Sequence, residues 1–185
     1  MATTPKLSSF RTNAGFTLVE LIIALAIATL LVGVAAGAFQ EWIASAQLAN
    51  YARHIAETMT RARTEAIRRG HRVNLCKSFD RRQCASRGGW ESGFIVFADV
   101  NHDGQVGNGE SVLGIEGSAP PGITVHANKP VESYVSYTSL GHARMLNGAL
   151  QMGTLTVCRR GHRALHVVLA GSGRVRIERS DSRCP

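Results

Sequence analysis

Aromatic side chains make up only 6% of the 185 residues, so any buried core must be largely aliphatic. Charged residues reach only 18% against 44% hydrophobic, a balance that excludes an intrinsically disordered chain. Lysine is nearly missing: Lys6, Lys77 and Lys129 stand beside a large excess of arginine. The 21 basic residues outweigh 13 acids, for a net charge of +8. That charge points to an anionic partner, nucleic acid or membrane headgroups, and says nothing about fold. No C-x-x-C pair occurs, so zinc has little support, and His162 and His166 read as ordinary strand residues. There is also no P-loop, no G-x-G-x-x-G and no nucleophile elbow; Gly171-Ser172-Gly173 lacks the third glycine. The expectation is a protein that is not an enzyme. No internal repeat or low-complexity segment divides the chain, which is long enough for one domain and short for two.

What is present is unevenly placed. Residues 16–39 are apolar apart from Glu20, long enough as a helix to span a hydrocarbon core of about 30 Å. Lys6 and Arg11 precede the run with no acid before Glu20, which leaves the N-terminus in the cytoplasm and the rest of the chain across the membrane. A cleaved secretory signal is the rival reading. The run is too long for an h-region, and helical patterning continues past it without the short polar break and cleavage site that end a secretory signal. A carboxylate inside such a run costs up to about 2.5–3.5 kcal/mol at the membrane centre and less near an end, so Glu20 is a functional candidate.

Gly15-Phe16-Thr17-Leu18-Val19-Glu20 resembles the class III signal of type IV pilins and pseudopilins, G-F-T-L-x-E. The resemblance implies that a prepilin peptidase cleaves between Gly15 and Phe16, removing 1–15 as a leader. It also implies N-methylation of Phe16, and that Glu20 neutralises the terminal amine of a neighbouring subunit during filament assembly. Past the membrane, Ala52, Ile55, Ala56, Met59, Ala62 and Ala66 recur at helical steps, and Gly70 is a stop. Residues 16–69 as one helix would be roughly 80 Å long at about 1.5 Å per residue, with 16–39 in the membrane and 40–70 amphipathic. Gly33 and Gly37 form a G-x-x-x-G spacing that allows close helix packing or, equally, local flexibility.

After Gly70 the chain turns to short strand-like runs: 73–76, 94–98, 112–115, 123–126, 134–138, 154–158, 164–169 and 174–178. The expected fold class is α+β, a long N-terminal helix packed on a C-terminal antiparallel β domain over 71–185. Four cysteines allow three pairings; Cys76–Cys84 with Cys158–Cys184 is favoured because each closes a local unit.

The end of the chain, through the runs 154–158, 164–168 and 173–176, is similar to that of the GspH/FimT family of minor pseudopilins. One type within that family belongs to the type II secretion pseudopilus. The other works with type IV pili, and some of its members bind DNA through a C-terminal G-R-x-R motif during natural transformation. By resemblance the motif maps onto Gly173, Arg174, Val175 and Arg176. Arg159, Arg160, Arg163, Arg179 and Arg183 lie near it in sequence, against only Glu178 and Asp181. On a strand, Arg174 and Arg176 would share a face and grip successive phosphates, with little sequence preference and strong salt sensitivity. The other reading is a solvated basic face, or a docking face for an acidic partner subunit.

Residues 99–110 match the EF-hand loop pattern D-x-N-x-D-G-x5-E. Asp99, Asn101, Asp103, the Gln105 carbonyl and Glu110 would supply oxygens to calcium, with Gly104 at the sharp turn. The flanks read as strands, and Asp, Asn and Gly also build any long polar hairpin. The expected protein is thus a minor pilin-like subunit of the inner membrane, with its β domain in the periplasm and presented by a filament. Its partners would be other pilins or pseudopilins, the prepilin peptidase, the membrane and double-stranded DNA. The alternative is a type II secretion pseudopilin without a DNA role.

Overall fold

The structure is a computed structural model that describes residues 17–185. The leader and the Gly15–Phe16 junction lie outside the described residues. The chain falls into two compact units, Met1–Trp42 and Ile43–Pro185. One helix, α1 (Leu18–Arg69), contributes to both.

In the first unit, helix formation begins with a reciprocal cap. The Thr17 hydroxyl accepts the Glu20 N–H at 3.2 Å, and the Glu20 carboxylate accepts the Thr17 N–H at 2.9 Å. This is the T-x-x-E capping box, which satisfies donors that a helix start otherwise leaves open. Leu18, Val19, Leu21, Ile22, Ile23, Leu25, Ile27, Leu30, Leu31, Phe39 and Trp42 are all exposed. Neither Gly33 nor Gly37 has a neighbour at its Cβ position within 4 Å. Among the described residues no helix is long and apolar enough to cross a membrane. The span expected over 16–39 includes positions outside the described residues, so it stands as an expectation.

In the second unit the same helix is amphipathic. Ala44, Leu48, Tyr51, Ala52, Ile55, Met59, Ala62 and Ala66 are buried at three- and four-residue steps. Gly70, at φ +71°, ends the helix with its N–H on the Ala66 carbonyl, a left-handed C-terminal cap. Eight strands follow: β1 (Val73–Lys77), β2 (Phe94–Ala98), β3 (Val112–Glu116), β4 (Ile123–Ala127), β5 (Tyr134–Tyr137), β6 (Gly153–Arg159), β7 (Arg163–Leu169) and β8 (Val175–Arg183). They form two antiparallel four-stranded sheets, β3-β2-β1-β5 and β4-β6-β7-β8. Alternation explains the second sheet: Ile123 and Val125, Leu155 and Val157, Val167 and Leu169 all turn into the core shared with the helix stripe. β1 and β2 are buried on both faces, because Cys76, Ile95 and Phe97 form a second cluster with Cys84, Val106 and Tyr134. Trp90 anchors the β1–β2 connection, donating from Nε1 to the Val131 carbonyl at 3.0 Å and meeting Phe94 edge-on.

One close approach locks the end of the domain where α1 finishes. Gly173 (φ +80°) is so near the Gly141 carbonyl that a Cβ would lie 2.0 Å from that oxygen. The same carbonyl accepts the Arg63 Nε at 2.8 Å. Gly161, in the β6–β7 turn, has a matching φ of +81° but open space around it. Gly161→Ala should therefore cost only the left-handed backbone term, about 1–2 kcal/mol. Gly173→Ala should cost roughly 2–5 kcal/mol, since overpacking adds to that term. Denaturant unfolding of both variants checks this, and equal losses would show that the Gly173–Gly141 contact relaxes freely.

Candidate functional site

The C-terminal arginines do not form one patch. Arg159 ends β6, Arg160 lies in the following turn and Arg163 begins β7, with Arg183 of β8 directly opposite Arg163. This end is held to the start of the domain helix by Arg159 Nη1 donating to Gln47 Oε1 at 2.6 Å. Arg174 sits at the other end of the sheet, roughly 25 Å away along β8 at about 3.3 Å per residue.

The expected strand pair Arg174/Arg176 is also divided. Arg174 precedes β8, in a turn where the Ala170 N–H donates to the Arg174 carbonyl and the Gly173 N–H to the Ala170 carbonyl. The turn forms there because Gly173 alone tolerates both the left-handed backbone and the approach of Gly141. Arg176 does lie in β8, opposite Val168, but its Nε donates to Glu178 Oε1 at 2.5 Å. Glu178 thus removes much of the charge that the motif offers a phosphate. Among the described residues, Arg160, Arg163, Arg174, Arg179 and Arg183 make no side-chain hydrogen bond or ion pair. Arg163 and Arg183 oppose like charge to like across the strands, which disfavours the pairing unless an anion covers them. β8 is an edge strand, so Arg174, Arg176 and Arg179 all stand exposed beside an open sheet margin.

The acidic loop joins β2 to β3. Oxygens of Asp99, Asp103 and Glu110 all lie within 4.8 Å of one another. Asp99 Oδ1 and Asn101 Oδ1 both accept the Asp103 N–H at 3.1 Å, and Asp103 Oδ1 accepts the Gln105 N–H at 2.7 Å. Glu110 closes the loop: Oε1 accepts Val100 N–H at 2.7 Å and Asn101 N–H at 3.3 Å, and Oε2 accepts Gly107 N–H at 2.9 Å. Sequence reasoning found these residues but missed Asn74 beneath them, whose Nδ2 donates to Asp99 Oδ2 at 2.5 Å. It missed the Thr17–Glu20 cap as well, although T-x-x-E was there to be read. A groove of about 640 Å³ lies between the helix and β3, and its charges are already paired: Glu116 holds His54 at 2.8 Å and Arg61 at 3.0 Å.

An N-terminal helix capped within the G-F-T-L-V-E signal, its later half packed on antiparallel sheets, defines a type IV pilin-like subunit. Residues 51–173 match the family described as type II transport protein GspH, and residues 10–36 match the prokaryotic N-terminal methylation motif. The chain belongs to the GspH family. Its fold is similar to that of the type IV minor pilin FimU of Pseudomonas aeruginosa PAO1, with TM-score 0.51 and 17% identity, covering 75% of this chain and 96% of that one. The minor pseudopilin EpsH from the type 2 secretion system of Vibrio cholerae also matches, with TM-score 0.49 and 13% identity, covering 74% of this chain and 99% of that one. No curated protein matches the chain.

Two disulfides staple the domain: Cys76–Cys84, which closes the loop after β1, and Cys158–Cys184, which ties β6 to the C-terminus. Their sequence separations are 8 and 26. On chain entropy alone, removing the longer-range bridge should cost about 1 kcal/mol more than removing the shorter. Unfolding the Cys76→Ala/Cys84→Ala and Cys158→Ala/Cys184→Ala pairs tests the order. The reverse order would mean that the packing of Cys76 against Ile95 and Phe97 outweighs loop closure.

Proposed function

We propose that this GspH-family chain is a minor subunit of a type IV filament machine and binds double-stranded DNA along the exposed margin of β8 during DNA uptake. The observation that carries the reading is Arg174 and Arg179, exposed and, among the described residues, without a carboxylate partner, at the free edge of the second sheet. Arginine suits phosphate through its bidentate fork, and no aromatic occurs in 159–185 to stack or read bases. Binding is therefore electrostatic and insensitive to sequence. Cleavage between Gly15 and Phe16 frees the mature terminus, and 16–39 anchors the subunit in the inner membrane until assembly. The exposed apolar side chains from Leu18 to Trp42 support that anchoring, since among the described residues nothing covers them. Glu20, engaged by Thr17 at the helix start, passes to the terminal amine of a neighbouring subunit in the filament.

A second reading is a type II secretion pseudopilin that contacts other minor subunits and binds no DNA. Two observations favour it: the family match ends at Gly173, before either motif arginine, and Arg176 is tied to Glu178.

The test is DNA binding by the full chain in neutral detergent across a salt series. Arg174→Ala should lower the slope of log K against log salt by about 0.9, one phosphate contact. Arg176→Ala should change it less, and Glu178→Gln, which frees Arg176, should steepen it by up to about the same amount. Absence of binding at low salt, or binding untouched by these substitutions, moves the assignment to the secretion pseudopilus.

A further inference from the structure

The filament and DNA roles leave the acidic β2–β3 loop unused, yet it is the most constrained surface feature of the domain. Three carboxylates converge there in a chain of net charge +8. Among the described residues none of Asp99, Asp103 and Glu110 is paired with lysine or arginine. Asp99 is completely buried, and a buried carboxylate without a cation is costly by several kcal/mol.

An observation outside the loop points the same way. Asn74, on β1, is also completely buried, and its side chain is directed at Asp99 through Nδ2. Its Oδ1 has no donor. Buried side-chain oxygens are nearly always satisfied, so an orphan oxygen beside a buried carboxylate with no cation leaves this corner of the domain rich in acceptors and short of positive charge.

We propose that this loop binds one calcium ion through Asp99, Asn101, Asp103, the Gln105 carbonyl and Glu110. Calcium takes oxygen ligands at about 2.3–2.6 Å, so two oxygens on one ion lie no more than about 5 Å apart. The 4.8 Å limit on the three carboxylates meets that condition. Gly104 takes the sharp turn at φ +75°, where a Cβ would lie 2.5 Å from Leu146 Cδ1. Val106 packs against the Cys76, Ile95 and Phe97 cluster, fixing the loop's midpoint to β1 and β2. The strands on either side replace the helices that usually flank such a loop. They hold its ends together by pairing β2 with β3, with a register shift between Val96 and Phe97. A mixed set of carboxylate, amide and backbone oxygens suits the six to eight ligands and loose geometry of calcium. Magnesium requires a stricter octahedron and surrenders its water reluctantly.

The site stands independently of the DNA reading. Its test is calcium titration of EDTA-stripped full chain in neutral detergent, by calorimetry and by equilibrium dialysis for stoichiometry. One ion per chain is expected, with Kd of about 10⁻⁴–10⁻³ M, the range of extracellular modules. Asp103→Asn, which keeps the Oδ1 that accepts the Gln105 N–H, and Glu110→Gln, which keeps one of its two acceptor oxygens, should each weaken binding at least about tenfold. Melting curves in EDTA set each variant's own baseline, and from that baseline calcium should raise the parent's Tm and neither variant's. Magnesium at equal concentration should raise it less. No bound ion and no Tm shift up to about 10 mM calcium would overturn the proposal, as would a shift retained in both variants.

Discussion

The burial of one helix stripe against two sheets organises everything else in the domain. Ala44, Ala52, Ala62 and Ala66 alternate along α1 with Leu48, Ile55 and Met59, and all are buried. The small residues let the strands approach the helix backbone, and the larger ones fill the space between the sheets. Because the stripe faces both sheets at once, it sets which face of every strand must be apolar. The outer face of the second sheet is then free to vary and carries threonines, histidines and arginines, whereas the outer face of β1 and β2 is covered by Cys84, Val106 and Tyr134. Low aromatic content fits the same geometry: Tyr51, Trp90, Phe94, Phe97 and Tyr137 are the large buried rings, and aliphatic side chains supply most of the remaining interface.

That architecture was legible because it depends on two simple periods. The helical spacing from Ala52 to Ala66 and the alternation in the strands each report burial directly. The eight expected strands agree with the observed ones to within a residue or two at most ends. The exception is β8, which runs to Arg183 rather than ending at 178. An edge strand with one open margin tolerates serines and charges, so its sequence lost the apolar alternation that marks a strand. The disposition of charge was less legible. Nothing in the spacing of the arginines shows that the β6–β7 turn and the β7–β8 turn lie at opposite ends of one sheet. That separation is a consequence of hairpin topology.

The pairing of Arg176 with Glu178 was open to inference, since residues two apart on a strand share a face. Asn74 was not open to inference in any comparable way. It is a polar residue set among Val73, Leu75 and Cys76, and only the folded chain shows that it lies under the acidic loop.

The G-R-V-R motif therefore has two parts with different causes. Gly173 is fixed by packing, because the Gly141 carbonyl and Arg63 leave no room for a side chain and the backbone is left-handed. A glycine is required there whether or not the domain ever meets a nucleic acid. Val175 is partly buried against the core, a second requirement of structure alone. Only the two arginines are free of such demands, and one of them is occupied by Glu178. A match to the motif in this fold thus carries less functional information than its four residues suggest. Arg174, exposed and without a side-chain partner among the described residues, is the residue on which a DNA role for this sheet edge turns.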